Sequence, residues 1–296
     1  MLTILLGVFE EGLVYAIMAL GVYITYRILD FPDLSVDSTF PLGAAVSVIL
    51  ITKNMSPLLT LFIAFAAGAC AGIVTGLIHV KGHVKNLLSG IIVMTALYSL
   101  NLRIAGGRAN VAIFSKETLF KNSFINSIIP LSLQPYTSLI VLTVMVLIVK
   151  LLMDWYLKTK SGYLLRAVGD NATLVTSLAI DKGIVKIVGL ALANALVALS
   201  GAIFAQKNGF FEISTGTGTI VIGLASVIIG TKLLKPLPIF KPTTAVIVGS
   251  IFYKACVALA ISFGFSAMDM KLITASLFFI ILIISNYKKR RTAPNA

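Results

Sequence analysis

The sequence predicts an all-α fold, a polytopic membrane helical bundle of about nine transmembrane spans. Hydrophobic residues make up 58% of the 296 residues, and the mean hydropathy is +1.01, far outside the range of soluble globular domains. Many separate apolar runs reach the roughly 20 residues that cross a bilayer as a helix. Some of these runs are interrupted by proline, glycine and polar residues. We therefore expect broken helices within one transmembrane domain that covers residues 1–296.

The formal charge of +13 predicts membrane topology and contact with anionic lipid, and no nucleic-acid partner. Short loops rich in Lys and Arg stay on the cytoplasmic side of a membrane. Arg27, at the end of the first apolar run, places that end inside and the N-terminus outside. The KKRR run at residues 288–291 places the C-terminus in the cytoplasm.

The first span is expected over residues 3–29 and carries two carboxylates near its outer edge. Glu10 and Glu11 lie a turn or two inside the membrane, where a charge is costly unless it is paired, protonated or hydrated. They are interpreted either as a polar vestibule for a substrate or as side chains that snorkel to the interface. Lys254, in the eighth span, could line a pathway, snorkel or pair with an acid.

A polar, proline-containing segment, FPDLSVDSTFPLGAA at residues 31–45, follows the first span. Pro32 and Pro41 exclude a continuous lipid-facing helix here. Broken backbone at membrane depth is tolerated where it is buried in protein or lines a cavity. Asp33 and Ser35 are therefore candidates for the substrate pathway and for helix capping, two roles that are compatible.

The later spans follow from the remaining apolar runs. They are predicted as a short second span ending at Ile51, then residues 57–80, 87–105, 136–157, 183–205 and 210–230, an eighth span from Pro242 and a ninth that ends before KKRR. The third carries Gly68, Gly72 and Gly76 at i, i+4 and i+8, a small-residue face suited to close helix packing. Residues 106–135 form the predicted external loop.

His79 and His83 have the i, i+4 spacing of some zinc sites, but no further ligand lies near them in the sequence. Together with the neighbouring lysines, they predict a basic cytoplasmic loop and no metal site.

The longest polar interruption, residues 158–182, is predicted to be a cytoplasmic loop that carries a docking surface. Residues 164–178 would form one short amphipathic helix that displays Arg166, Asp170 and Asn171. A short helix on a basic cytoplasmic loop offers a surface to a soluble protein. The alternative is an ordinary basic loop that only sets topology.

The seventh span begins with a second broken segment, FFEISTGTGTIVIGLASVIIG, at residues 210–230. The pattern Phe-x-acidic-aliphatic-Ser occurs at residues 210–214 and at residues 31–35, on opposite sides of the membrane by the charge assignment. Chance can explain five matching positions. Corresponding broken segments of opposite orientation are also typical of an inverted repeat with a pathway at the midplane. Candidate pathway residues in the second segment are Ser214, Thr215 and Gly216.

Sequence motifs for enzymatic chemistry are absent. There is no GxxxxGK[ST] phosphate loop, nucleophile elbow, HExxH or CxxC. We expect neither a catalytic residue nor a cofactor bound by this chain.

Several motifs resemble one family of membrane proteins. The string SGYLLRAVGDN, followed by a glycine-containing turn, is similar to the coupling loop of ABC-importer permeases of the branched-chain amino acid and ribose type. The first apolar run, the DLSV string and GLASVIIG extend this resemblance over nearly the whole chain. Asp37 stands where the ribose-type string has glycine. LDFPDLSVDSTFPLGAA resembles a subgroup of permeases assigned to tryptophan or tyrosine transport.

The resemblance implies an importer subunit of the bacterial cytoplasmic membrane with several partners. These are a cytoplasmic ABC ATPase dimer that binds ATP, an extracytoplasmic substrate-binding protein and a second permease copy in a homodimer. Closure of the ATPase dimer would move the paired coupling helices and switch the access of the cavity. The residues implied at the ATPase junction are Arg166, Gly169, Asp170 and Asn171. The substrate would be a small solute, an amino acid and especially an aromatic one, with a sugar or nucleoside still open.

Two other classes of membrane protein remain compatible with the sequence. A stand-alone secondary transporter or channel would use Glu10, Glu11, Asp33 or Lys254 to carry protons or ions. A membrane anchor for a soluble complex would explain the basic loop but not the broken, polar segments.

Overall fold

A computed structural model of the chain describes residues 2–122, 130–177, 180–233, 241–264 and 269–292. The helices in these ranges are α1 Leu2–Val22, α2 Val36–Thr52, α3 Pro57–Val80, α4 Asn86–Ile104, α5 Thr137–Tyr156, α6 Lys160–Asp170, α7 Ala172–Ser177, α8 Lys182–Asn208, α9 Thr219–Ile228, α10 Pro242–Ser262 and α11 Met270–Thr292. Two π-helical turns, Tyr23–Ile28 and Ile229–Leu233, continue α1 and α9. Strands β1 Asn110–Ala112 and β2 Phe210–Glu212 pair antiparallel.

The predicted class, a polytopic helical membrane bundle, is confirmed. In the described part of the chain, seven helical segments are long and apolar enough to cross a bilayer. They are Ile4–Ile28, Pro57–Val80, Asn86–Ile104, Leu133–Tyr156, Lys182–Asn208, Ile213–Lys232 and Pro242–Ser262. The predicted second and ninth spans correspond to shorter apolar helices, Val36–Thr52 and Lys271–Ile283. The number nine therefore remains a prediction.

Helices α1 and α8 form the centre of the bundle. From Leu13 to Ile24, α1 and its π-helical continuation are almost completely buried, as expected of a helix that is apolar on every side. Helix α8 packs against α1, α2 and α3, and α1 also packs against α10. The peripheral helices α3, α4 and α5 keep many large apolar side chains exposed. That surface is suited to lipid or to another membrane-embedded chain.

The glycine face predicted on α3 is the surface that meets α8. A Cβ atom at Gly68 would collide with the Asn194 carbonyl oxygen, and one at Gly72 would collide with that of Leu190. At Gly76 a Cβ would lie 2.9 Å from the Cα of Ile187. Helices approach this closely in membranes when small residues face the partner backbone.

The break predicted within residues 31–45 is shorter than the sequence suggests. It is confined to residues 29–35, because α2 begins at Val36 and continues through Pro41. Proline removes one backbone hydrogen bond from a helix, here the bond to the carbonyl of Asp37. That carbonyl lies against Gly216 instead. The segment 36–45 is buried, so α2 does not present a continuous lipid-facing surface there.

Two ends of the bundle can be distinguished. The β end holds β1, β2, the last turn of α8 and an ion pair from Lys207 to Glu10. The α6 end holds the π-helical turn after α1, helix α6 and the first turn of α8, which contact one another.

We predict that Gly72→Ala loosens the α3–α8 packing. The added Cβ cannot be accommodated beside a backbone carbonyl unless the helices separate, which costs about 2 kcal/mol. Thermal unfolding of the purified protein in detergent measures the loss. Gly7→Ala is the matched control, because a Cβ at Gly7 has nothing within 4 Å. Equal melting temperatures for the two variants would contradict the packing assignment.

Candidate functional site

Helix α6 begins with an N-cap and ends at an asparagine. The Thr159 hydroxyl accepts a hydrogen bond from the Gly162 backbone N–H. Asn171 has extended backbone, and its side chain accepts from the Thr173 N–H. A side chain that bonds the backbone two residues ahead competes with the helix. The prediction of one helix over residues 164–178 is therefore wrong. Two helices, α6 and α7, meet at Asn171, and Leu178 lies outside the described residues.

The predicted coupling residues divide into an exposed group and a packed one. Tyr163 is 59% exposed, and Arg166 and Asp170 are exposed on the same side of α6. Asn171 is also exposed. Gly169 differs, because a Cβ there would collide with the Ile28 carbonyl oxygen. In a junction with the ATPase, Gly169 would act by allowing α6 to pack closely against the π-helical turn that follows α1.

The buried side of α6 rests on the elements that lead into the first break. Leu165 is fully buried, and its side chain and that of Leu29 both lie against Gly189 of α8. Gly169 touches Ile28, the last residue of the π-helical turn. The chain then runs directly into residues 29–35. Helix α6 is thus in contact with the start of the broken segment.

Within the first break, Asp33 and Ser35 are bound to α8 by a buried polar network. One Asp33 oxygen accepts from the Ser35 backbone N–H (2.9 Å), and the other accepts from Asn194 Nδ2 (2.8 Å). Ser35 Oγ donates to Asn194 Oδ1 (3.2 Å). All three side chains are at most 1% exposed. We call this network the Asp33 junction. A structural role for Asp33 and Ser35 is evident, while their part in a pathway remains a prediction.

Asp37, in the first turn of α2 directly after the first break, binds the start of α9 directly after the second break. Its carboxylate accepts from the backbone N–H groups of Gly218 (2.9 Å) and Ile220 (2.8 Å) and from the Thr219 hydroxyl (3.1 Å). It therefore satisfies donors at the N-terminus of α9 that have no intrahelical partner, where a negative charge is also favourable. Helices α2 and α9 consequently begin side by side inside the bundle. Paired broken helices are one feature of an inverted repeat, and the repeat itself remains a prediction.

The other predicted pathway residues lie in the turn before α9. Ser214 is exposed and its hydroxyl donates to Glu212 Oε1, while the Thr215 hydroxyl donates to the Glu212 carbonyl. Gly216 is buried against Asp37 of α2. The second broken segment therefore touches the first turns of α2 through Gly216 as well as through the Asp37 carboxylate.

Sequence reasoning missed Asn194, the capping role of Asp37, and Gln206. The amide nitrogen of Gln206 donates to the hydroxyls of Ser47 and Thr60 and to the Pro57 carbonyl. A lone amide in an apolar span is a recognisable signal, because an unsatisfied polar group is costly in a membrane. The signal shows that a partner exists but not which residue it is.

Glu10 and Glu11 each form an ion pair with a lysine of another span. Lys207 and Glu10 lie 3.0 Å apart, and Lys254 and Glu11 lie 2.9 Å apart. The Lys254 ammonium also lies 4.0 Å from the centroid of the Tyr15 ring, a cation–π contact. Of the alternatives for Lys254, the structure shows pairing.

His79 also contacts protein groups. Its Nδ1 is 2.7 Å from the Val84 carbonyl oxygen and its Nε2 is 3.2 Å from Lys186 Nζ.

Together, the fold and this site define a multi-pass membrane helical bundle in which two helices begin inside the bundle and a short helix packs beside one of the breaks. The comparisons identify its family. Residues 4–285 match the family described as the permease component of branched-chain amino acid transport systems, and the chain belongs to this family. It is a permease component of an ABC transport system, a class that works with ATPase and binding-protein partners.

Curated relatives agree with the family. The chain is 44% identical to the tyrosine transport system permease protein of Clostridioides difficile over 282 residues, which cover 95% of this chain and 91% of that relative. It is 27% identical to the ribose import permease protein of Escherichia coli K12, over 67% of this chain and 59% of the relative. A branched-chain amino acid permease of Methanocaldococcus jannaschii is 26% identical over 66% and 64%. No solved structure matches the chain significantly.

We predict that Asp33→Ala destabilises the fold by about 2 kcal/mol, because the Ser35 N–H loses its acceptor and the Asn194 amide keeps only the Leu190 carbonyl. Asn194→Ala should cost a similar amount, and the double variant should cost about 1 kcal/mol less than the sum, since contacting groups are not additive. Thermal unfolding in detergent gives all three values.

Ser250→Ala combined with Asp33→Ala is the control, because Ser250 Oγ bonds separately to the Gly12 carbonyl. The losses in unfolding free energy caused by these two substitutions should simply add. An additive Asp33–Asn194 pair would contradict the junction.

Proposed function

We propose that this chain is the membrane subunit of an importer that moves an aromatic amino acid inward across the bacterial cytoplasmic membrane. The observation that carries the proposal is 44% identity over 95% of the chain to a permease named for tyrosine transport. Ribose and branched-chain amino acid permeases are more distant, at 27% and 26% identity. A sugar or nucleoside is therefore the weaker candidate.

We further propose that ATP is bound by a separate cytoplasmic ATPase dimer that docks on α6. Arg166 and Asp170 are the residues proposed to contact it, with Asn171 at the end of the surface. Their exposure beside Tyr163 supports this role. The Lys and Arg content of residues 158–182 supports a cytoplasmic position, with the N-terminus outside and the C-terminus inside.

Closure of the ATPase dimer would be transmitted through α6 to the first broken segment. The contacts that support this route are that of Gly169 with Ile28 and the packing of Leu165 and Leu29 against Gly189. A rigid displacement of α6 would push the π-helical turn and, through it, residues 31–35. Asp33 and Ser35 would respond there, and Gly216 would carry the change to the second broken segment, with Ser214 and Thr215.

The pathway is proposed to lie between two copies of this chain in a homodimer. Within one copy, the carboxylates beside the two breaks are bonded to neighbouring helices, Asp33 to Asn194 of α8 and Asp37 to the start of α9. An extracytoplasmic binding protein would deliver the substrate to the β end, where residues 106–135 form the proposed external loop.

Asp170→Arg is expected to abolish recovery of the ATPase without disturbing the fold. The charge reversal falls on an exposed side chain, so it affects docking and not packing. The measurement is a mild-detergent pull-down of the full chain from its native membrane, with the recovered ATPase quantified by mass spectrometry against the wild type.

Glu117→Arg is the matched control, an equal charge reversal on an exposed residue of the proposed external loop. It should recover the ATPase normally. Loss of ATPase recovery in both variants, or in neither, would count against α6 as the docking surface.

Substrate class is tested by uptake in cells that express the importer with its partners. We expect uptake of labelled tyrosine that excess phenylalanine or tryptophan reduces and excess ribose leaves unchanged. Cells carrying Asp170→Arg supply the background, since coupling is lost there. Tyrosine uptake no greater than this background, or ribose competition equal to that of phenylalanine, would reject the aromatic assignment.

A further inference from the structure

A cavity of about 770 Å³ opens at the α6 end, between the α3–α4 connection and the first turns of α8. Basic side chains line much of it: His79, His83, Lys85, Lys182 and Lys186. Among its lining residues, Pro32 belongs to a broken segment, and the exposed side of α6 contributes none. The chemistry of this cavity is not required by the proposed transport function.

The lining holds three lysines against one carboxylate, so its net charge is positive. Asp181 is the acidic residue among the lining residues, and its Oδ1 accepts from the Gly183 backbone N–H at 2.7 Å as the N-cap of α8. Lys186 is oriented by His79, whose Nε2 lies 3.2 Å from the ammonium. A neutral imidazole satisfies this contact while its Nδ1–H donates to the Val84 carbonyl. The cavity is therefore suited to an anion.

Apolar surface adjoins the basic lining. Val80, Val84 and Leu87 also line the cavity. Leu87 is 48% exposed, and Ile184, in the first turn of α8, is 60% exposed. These side chains belong to spans whose outer faces are apolar. An occupant would meet cationic groups at one side and the lipid-facing surface at the other, which is the chemistry of an amphiphile with an anionic headgroup.

We propose that this cavity binds the phosphate headgroup of an anionic membrane phospholipid. Basic pockets between transmembrane helices on the cytoplasmic side are suited to such headgroups. The headgroup would lie among Lys85, Lys182 and Lys186, and the acyl chains would follow the exposed surface beside Leu87.

The site also touches the first broken segment from behind. Pro32 lines the cavity, and Phe31 packs edge-on against the His79 ring, with centroids 5.1 Å apart. A bound lipid would therefore contact the segment that carries the Asp33 junction and hold it against α8.

The test is native mass spectrometry of the full chain in detergent, titrated with phosphatidylglycerol or phosphatidylcholine. Wild type should bind phosphatidylglycerol in preference to phosphatidylcholine. Lys182→Gln combined with Lys186→Gln should weaken phosphatidylglycerol binding about tenfold, since each lysine near an anionic headgroup contributes to affinity. Lys85→Gln changes one exposed residue and should weaken phosphatidylglycerol binding by a smaller factor. It replaces the double variant as the test if the double variant does not fold.

The matched control is Lys158→Gln combined with Lys160→Gln. It removes the same charge from exposed positions just before and at the start of α6. It should bind phosphatidylglycerol as the wild type does. Equal binding of the two lipids, or equal loss in the control, would overturn the site. Full displacement of phosphatidylglycerol by inorganic phosphate would overturn the lipid assignment in favour of a free-anion site.

Discussion

A backbone that leaves the helical path inside a membrane must find hydrogen-bond partners within the protein, because lipid supplies none. This chain does so twice, before α2 and before α9, and in both places an aspartate of the same short segment provides acceptors. Asp33 holds Ser35 and Asn194, and Asp37 holds the first turn of α9. Without these two carboxylates, donors at both helix starts would be buried and unsatisfied.

The closeness of the helices follows from this requirement. Asn194 can reach Asp33 only if α8 lies directly against the first broken segment. Small residues on both helices permit the close approach of α8 and α2. A Cβ at Gly43 of α2 would collide with the Ala198 carbonyl, and one at Gly201 with that of Phe40. The glycines of α3 play the same part on another face of α8. Polar network and close packing therefore depend on each other.

These facts determine what the sequence could predict. Hydropathy and charge are sufficient for the helical membrane class, and the i, i+4 glycines on α3 are sufficient for a close-packed face. The prolines correctly indicated a break but not its end at Val36, since Pro41 is tolerated where the Asp37 carbonyl meets Gly216. Asn171 ended α6 through a local hydrogen bond that apolar periodicity does not reveal. Asn194 was missed because its partner lies 161 residues away, and such pairing is decided by the tertiary fold.

The position of α6 gives the two breaks a connection to the surface. Gly169 and Leu165 place this helix on Ile28 and Leu29, at the end of a π-helical turn. Turns of this kind are uncommon and occur often at functional sites, and a second one continues α9. Each of the two breaks thus has a π-helical turn in a neighbouring helix, and Asp37, in the first turn of α2, binds the start of α9. A force applied at α6 meets the first turn, then the Asp33 junction, and then α9 through Asp37. Under the proposed coupling function, these packed, hydrogen-bonded and covalently adjacent groups would transmit a displacement of α6 to α9.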